Sequence, residues 1–500
     1  MTVSIVINNV KSQIKDLDNI NVIDSISRVL TYRLDSAKFS WQYKTGQWDG
    51  STKLLTKRLV FPSGCLTSVL DVLKTKGIPY VLDDRRTFFT FPKQTLEWGS
   101  HNLYPYQNDI VDRSLSSKSG MVKVATGGGK SLIISRIAYE INLPTVIYVV
   151  SLDLLHQMHE TLEECFNQKI GMVGNGICDI QKITICSAWT AGKVFSKSKV
   201  KKSNADHKSS EEVLVDKWNP SDIQKNKIKD MIENAKVAIL DEAQFAAAAS
   251  IKSIFDNSHS ASYRYGFSAT PMRTDGDDIL LDAAFGDKIC DISASDLIKE
   301  GYLVQPKIAF RDIPKFKTPL KKKWGTVKSN YIIENSERNN ILIKNTIKLL
   351  DMGRKPLLLF QEHKHGEILK DLLPEDINYR YVTGLSSKKE REELRTDFLA
   401  NKIDLILASG IFNQGINIPN LDAFVLACGG KSQVLALQRI GRCIRSHPGK
   451  TNAIVVDTFD QSHFVRKHSI RRYHTYKTEP AFLIKMGENM NSYVKRYRLQ

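Results

Sequence analysis

Short apolar runs recur along most of the chain, each followed by a longer stretch whose apolar positions return every three or four residues. Between residues 97 and 295 the runs are "MVKVA", "TVIYVVS", "KITICS", "VAILDE" and "RYGFSA". The stretches between them, such as "SLIISRIAYEIN", carry the period of an amphipathic helix. Buried strands alternating with helices predict a parallel sheet covered on both faces. The rhythm restarts after residue 300 in "LLLFQ", "YRYVTG", "DLILAS", "AFVLAC" and "AIVVD", which predicts a second doubly wound α/β domain over 296–460. The two join near "LIKEGYLVQPKIAF". Residues 1–96 read differently: stretches such as "VSIVINNV" and "RRTFFTF", broken by turn-like "TGQWDG" and "FPSG", predict a small α+β accessory domain.

Two stretches depart from the alternation. Residues 193–230 open with "KVFSKSKVKKSNADHKSSEEV", polar, basic and poor in large apolar residues, and predict a surface insert. A solvated loop and a nucleic-acid-contacting loop both fit it. Residues 461–500 carry nine Lys/Arg and two Glu, interleaved with Tyr473, Tyr476, Tyr493 and Tyr497. A basic aromatic tail that stacks on bases fits, and so does an amphipathic helix packed on the preceding domain.

Composition adds one strong pointer. Lys and Arg number 72 against 54 acidic residues, a net charge of +18, and such a surplus favours a polyanionic partner. The seven cysteines form no C-x-x-C pair, which argues against disulfides and a zinc site. The amino terminus lacks a basic flank and a cleavage-like end, and no apolar run reaches the ~18 residues of a membrane span. The expectation is a cytoplasmic chain.

The candidate chemistry begins at "VKVATGGGKSLI", residues 122–133. Thr126, Gly127, Gly128 and Gly129 lie between a predicted strand and helix, with Lys130 and Ser131 opening the helix. Glycines let backbone N–H groups converge on a phosphate, and the helix start adds its dipole. The lysine suits β/γ-phosphates and the serine hydroxyl suits Mg²⁺. The usual G-x-x-x-x-G-K-[ST] pattern has a glycine where this chain has Val124. Downstream, "VAILDEAQ" brings a buried strand to its carboxyl end, where α/β sheets place ligands. Asp241 can hold Mg²⁺ there, and Glu242 can orient and deprotonate an attacking water.

The order A-T-G-G-G-K-S, D-E-A-Q, S-A-T-P and Q-R-I-G-R-C-I-R resembles that of the superfamily 2 nucleic-acid helicases and translocases, over residues 100 to 460. In that family Ala, Gly or Pro ordinarily precedes T-G-x-G-K, so Val124 is no defect. The resemblance implies two tandem RecA-like domains that use ATP and Mg²⁺. It makes Tyr104 and Gln107 of "LYPYQ" the adenine-recognition motif and sets Gly415 of "ILASGIFNQGINIP" in the fifth motif. Asn413, Gln414 and Asn417 replace acidic residues often found there. It implies strand-contact or coupling roles for Gln157 of "VSLDLLHQ", where Ser151 stands for the usual Pro-Thr, and for Thr190, Gln244, Ser268 and Thr270. Gln438, Arg442 and Arg445 become the catalytic group of the second domain, with the arginines predicted three apart on one helical face and reaching the phosphates from there.

"LDEAQ" is not D-E-A-D, and "GFSATPMRTDGDD" is similar to DNA-acting members of the XPB and RecG groups. Arg273, Thr274 and Asp275 faintly match an Arg-Glu-Asp element of the former. "WQYKTGQWDGSTKLLTKRLVFPSGCL" resembles the amino-terminal region of the UvsW-like bacteriophage helicases, which implies a DNA motor for forks and Holliday junctions in replication, recombination or repair. Lys44, Lys53, Lys57 and Arg58 could meet phosphates. Trp41 and Trp48 fit either a group that stacks or wedges at a junction or the small domain's core. A duplex translocase, an RNA helicase and a non-catalytic DNA-binding scaffold are the rival readings.

Overall fold

The computed structural model describes residues 2–33, 35–94, 97–99, 101–195, 216–269, 278–315, 324–384, 386–410, 418–430 and 432–498. The chain forms two compact units, the first built mainly from residues up to Asp291 and the second from Ile292 onward together with the short segment Ala125–Gly128.

The first unit opens with β1 (Val3–Ile7), β2 (Lys11–Lys15), β3 (Thr31–Arg33), β4 (Ser51–Lys53), β5 (Val60–Pro62) and β6 (Tyr80–Asp84). Four of them make a mixed sheet in the order β5-β2-β1-β6, while β3 and β4 form a separate two-stranded antiparallel ribbon. Ile5, Ile14, Ile26, Phe61, Val69 and Leu73 fill the core between this sheet and its two helices. That core continues into the next domain, because Ile279 and Ala283 of the helix Ile279–Phe285 pack on it. Thr67 Oγ1 donates to Asp287 Oδ2 at 2.6 Å and Asn9 Nδ2 to the His259 carbonyl at 2.8 Å. A side chain on Gly64 would collide with the Asp282 carbonyl, so glycine is required at this seam.

The expected strand-like "RRTFFTF" is not a strand. Its aromatic rings instead cover the neighbouring sheet, Phe88 and Phe91 lying 5.9 and 5.5 Å from Tyr263. Its carbonyls accept from Ser262 Oγ and the Tyr263 hydroxyl. Burial of aromatic surface prevails here over strand pairing.

The remainder of the first unit holds β7 (Ser119–Val124), β8 (Thr145–Val149), β9 (Gly171–Gly174), β10 (Ile177–Asp179), β11 (Ile183–Ser187), β12 (Val237–Asp241), β13 (Tyr263–Ser268) and β14 (Lys288–Ile292). They form one sheet in the order β10-β9-β11-β8-β12-β13-β7-β14. From β9 through β11, β8, β12 and β13 to β7 the neighbours pair in parallel, β9 and β10 pair antiparallel, and every residue of β8, β11, β12 and β13 is buried. Such strands read as continuous apolar runs because helices cover both faces.

The polar insert is shorter than 193–230. A helix continues to Phe195, Asp216 is buried, and the helix Asp222–Asn234 starts with a capping box at Ser221 and buries Ile228 and Ile232. Lys193 donates to the carbonyls of Asp216 and Trp218. Residues 196–215 lie outside the described residues.

The second unit contains β15 (Gln305–Ile313), β16 (Pro356–Leu359), β17 (Tyr379–Val382), β18 (Leu405–Ala408), β19 (Ala423–Leu426), β20 (Asn452–Asp460) and β21 (Leu483–Lys485). All pair in parallel, in the order β17-β18-β16-β19-β20-β15-β21. Residues 461–500 are therefore no appended tail. Tyr473 and Tyr476 of the helix His463–Lys477 are buried, β21 extends the sheet, and the helix Glu488–Arg496 buries Met490 and Val494. Asp312 accepts from the N–H groups of Asn489 and Met490, and Glu479 from those of Ala294 and Ser295. Two buried arginines cross-link the unit. Arg338 reaches Asp460 Oδ1 at 3.0 Å, and Arg472 grips both carboxylate oxygens of Asp457. Removing one partner of such a pair typically costs about 3–5 kcal/mol.

No helix among the described residues is long and apolar enough to cross a membrane. The fold is thus α/β, with two RecA-like parallel-sheet domains and a small N-terminal α+β domain.

His365 is buried beside Arg338 and bonded to Asn339 Oδ1 at 3.0 Å. Burial, with the charges of Arg338 and Lys328, pulls its pKa from 6.5 to about 3. The unfolded chain takes up this proton near pH 6.5, while the folded one refuses it until about pH 3, so stability falls as the pH drops through that window. Urea denaturation of the wild type should show a loss of about 2 kcal/mol between neutrality and pH ~5 from this group, and H365Q should lose less over the same interval.

Candidate active site

Strands β12, β13 and β7 are adjacent and parallel, with Asp241 level with Phe267 and Ser268 level with Lys123. Their carboxyl ends consequently open on one edge of the sheet, and the segments that leave them share it. Val124, at the position of the missing glycine, is the last residue of β7, and its side chain is buried in the core. The loop proper begins after it. Gly127 and Gly129 adopt φ of +92° and +75°, values that side-chain-bearing residues rarely take. Lys130 and Ser131 are then the first residues of the helix Lys130–Ile141. The loop ends against Gln107, for a Cβ on Gly129 would meet the Gln107 amide nitrogen.

Asp241 is buried at the end of β12. Burial and the neighbouring Glu242 push its pKa up to about 7, while Lys130 and the Glu242 N–H pull the other way. Lys130 is therefore close enough to act on the Asp241 charge. Glu242 turns the chain with φ of +59°, and its Oε2 accepts from Gln244 Nε2 at 2.7 Å. Gln244 Oε1 in turn accepts from Ser268 Oγ at 2.7 Å. A carboxylate, an amide and a hydroxyl thus form one chain from the end of β12 to the end of β13. Among the described residues no three His, Cys, Asp or Glu side chains gather as a metal cage. Mg²⁺ needs no such cage, since it keeps several waters and is commonly held by one or two carboxylates together with phosphate.

Gln107 is buried at the start of the helix Pro105–Ser117, where its Oε1 accepts from the Tyr104 N–H at 2.9 Å. Tyr104 is exposed and stacks on Tyr106, with ring centroids 6.1 Å apart. Tyr106 was not singled out, although an aromatic pair flanking Pro105 was readable. Gln157 lies half-buried on the helix Leu152–Phe166, which Ser151 caps. Thr126 is half-buried, and Gly128 is buried.

Thr190 departs from its expected strand-contact role. It is buried, and its hydroxyl donates to Asp216 Oδ2 at 2.6 Å. Asp216 also accepts from the N–H groups of Asn175 and Trp218. Nothing in the polar insert marks Asp216 as a buried hub, so sequence reasoning missed it. Thr270 and Gly415 lie outside the described residues, as do Arg273, Thr274, Asp275, Asn413, Gln414 and Asn417. Lys44 and Lys53 are exposed around the β3–β4 ribbon, with Trp48 half-buried between them in sequence. Trp41 is exposed, so it is not part of the small domain's core.

In the second unit Gln438 and Arg442 lie on the helix Gln433–Cys443. Arg445 does not share that helix. Ile444 caps it, and Arg445 instead forms an isolated antiparallel bridge with Leu303. The predicted i, i+3 pairing of the two arginines gives way to backbone pairing with the segment before β15. Arg472, also missed, donates through Nη1 to the Gly430 carbonyl at 2.9 Å and so pins the segment that precedes this helix.

A family model described as the type III restriction enzyme res subunit matches residues 100–273, and one described as the helicase conserved C-terminal domain matches residues 337–447. The chain is 25% identical over 494 residues to the ATP-dependent DNA helicase uvsW of Enterobacteria phage T4, covering 90% of this chain and 92% of that protein. It is 23% identical over 380 residues to the DNA 3'-5' translocase XPB2 of Sulfurisphaera tokodaii, covering 69% and 78% respectively. In fold it is similar to the type ISP restriction-modification enzyme LlaBIII, with a TM-score of 0.54 at 14% identity over 81% of this chain and 32% of that one. With both models matched in order and a RecA-like sheet under each, the chain belongs to the superfamily 2 helicases, which hydrolyse ATP.

Proposed function

We propose that the protein is an ATP- and Mg²⁺-dependent DNA motor that remodels branched DNA by fork regression, branch migration and duplex unwinding. The observation that carries this reading is the extent of the likeness to the phage T4 DNA helicase. It covers 90% of the chain and so reaches well beyond the two motor models at 100–273 and 337–447. The net charge of +18 supports a polyanionic partner.

In this reading the loop Thr126–Gly129 and the start of the following helix cradle the phosphates, and Lys130 neutralises them. Ser131 and Asp241 would hold Mg²⁺, which supplies charge neutralisation at the phosphates. Glu242 orients water for attack and takes its proton. Its link through Gln244 to Ser268 connects that water to the segment leaving β13. Tyr104 and Gln107 hold the base, and Arg442 with Gln438 and Arg445 meets the negative charge that spreads over the phosphoryl oxygens during hydrolysis. Gln157, Lys44, Trp48 and Lys53 are proposed DNA contacts. The likeness to a protein named a translocase favours one second reading, movement along duplex without strand separation.

Steady-state ATP hydrolysis with no nucleic acid, single strand, plain duplex, forked DNA or RNA tests the proposal. Strongest stimulation by forked DNA is expected, with strand displacement from the fork. Stimulation by duplex without displacement would favour the translocase, and stimulation by RNA alone would overturn the DNA reading. Lys130→Ala should reduce turnover at least ~100-fold, because the loop would lose its cation. Arg442→Ala should slow hydrolysis by ~10³-fold while nucleotide affinity, read by equilibrium titration, stays within a few-fold. DNA affinity should fall more than tenfold between about 50 and 200 mM salt, as expected for a protein held by phosphate contacts.

A further inference from the structure

The ribbon segment Thr31–Lys53 is built unlike the rest of the first unit. Five of its residues are aromatic, yet among the described ones only Ala37 and Gly50 are buried. Phe39 is 70% exposed, Trp41 67% and Tyr43 38%. Rings left in water at this density do not stabilise the segment by burial, and a contiguous exposed apolar patch marks an interaction surface.

The segment is nevertheless held in shape. Ser40 caps the turn of helix Trp41–Lys44 by accepting from the Tyr43 N–H, and Thr45 Oγ1 donates to the Trp41 carbonyl at 3.0 Å. The Gln47 N–H closes the turn on the Gln42 carbonyl at 2.9 Å. Trp48 Nε1 donates to the Ser51 carbonyl at 2.6 Å, and Gly50, at φ of +82°, passes so close to the Tyr43 ring that a Cβ would lie 3.2 Å from it. The backbone that carries the rings, and the Trp48 indole, are thus held in place, which lowers the entropy cost of binding.

The charge identifies the partner's chemistry. Lys38, Lys44 and Lys53 outnumber Asp35, while Arg33 lies 3.9 Å from the Asp49 carboxylate, which also accepts from the Ser51 N–H and hydroxyl. Lys38 Nζ sits 5.5 Å from the Phe39 ring centroid. Cations interleaved with open ring faces match a strand that offers phosphates and unstacked bases together. Paired duplex hides its base faces, so rings of this kind find them only on unpaired DNA. A cleft of about 370 Å³ lined by Gln42, Gln47 and Trp48 adds amide donors and acceptors beside a ring, the groups that meet a base edge.

We propose that Thr31–Lys53 is a stacking platform for the unpaired bases of single-stranded DNA, with Phe39 and Trp41 as its outer rings and Trp48 beside the amide-lined cleft. The platform rests on the DNA-motor reading and adds to it the part of a branched substrate that this segment recognises.

The test uses the full chain and a fluorescent fork with two single-stranded arms, made once with ordinary bases and once with abasic arms that keep every phosphate. Trp41→Ala should weaken binding to the ordinary fork about tenfold, since one base–aromatic stack is worth ~1–3 kcal/mol. On the abasic fork the same substitution should change affinity less than twofold, and Trp41→Phe should restore most of the binding to the ordinary fork. Unchanged affinity of Trp41→Ala for the ordinary fork would overturn the platform, and so would an equal loss on both forks. If those results came with strong duplex stimulation of ATP hydrolysis in the wild type, the platform alone would fall. A wild-type chain that neither binds the fork nor responds to any nucleic acid would remove the motor reading and the platform with it.

Discussion

A carboxylate buried at the end of a hydrophobic strand is the constraint around which the first unit is arranged. Asp241 cannot be solvated where β12 ends, and ionising it there is costly unless cations compensate. Lys130, at the start of the helix that follows β7, provides one positive charge that acts on it. The parallel register of β12, β13 and β7 brings the lysine to the carboxylate. A one-residue slip in any of the three would send alternate side chains to the opposite face. The continuous apolar character of these strands, required by helices on both faces, therefore serves the chemistry at their ends as much as the core.

The same edge carries a second polar feature. Glu242, Gln244 and Ser268 form an unbroken hydrogen-bonded chain between the ends of two strands. In such short polar chains in a low-dielectric setting, the bonds polarise and so strengthen one another. In the second unit, Arg472 ties Asp457 to the Gly430 carbonyl just ahead of the helix that carries Gln438 and Arg442.

Much of this was legible in the chain because its signals are local. The strands of both RecA-like sheets follow from apolar runs, and the phosphate loop follows from glycines between a strand and a helix. Val124 shows how a motif template can mislead. Its position looks like a lost glycine in a pattern, yet β7 simply continues through it into the core. Where the signal was compositional the reading was poorer. The basic aromatic segment 461–500 fitted a stacking tail as well as a packed helix, and composition could not separate them; Tyr473, Tyr476 and Arg472 are buried, while Lys467, Arg471 and Lys477 face out. Thr190 and Asp216 lie far apart in sequence, and no periodicity announces that one bonds the other across the insert.

The sequence by itself determined which residue types stand at strand ends, which glycines free the backbone, and the excess of positive charge, since each is a property of neighbours along the chain. Only the tertiary structure decided that Arg445 leaves the helix of Arg442 to pair with Leu303, that Trp41 faces solvent, and that the N-terminal sheet shares its core with Ile279 and Ala283. Those outcomes depend on competition among distant surfaces for burial and for backbone partners, and that competition is resolved only when the chain is folded.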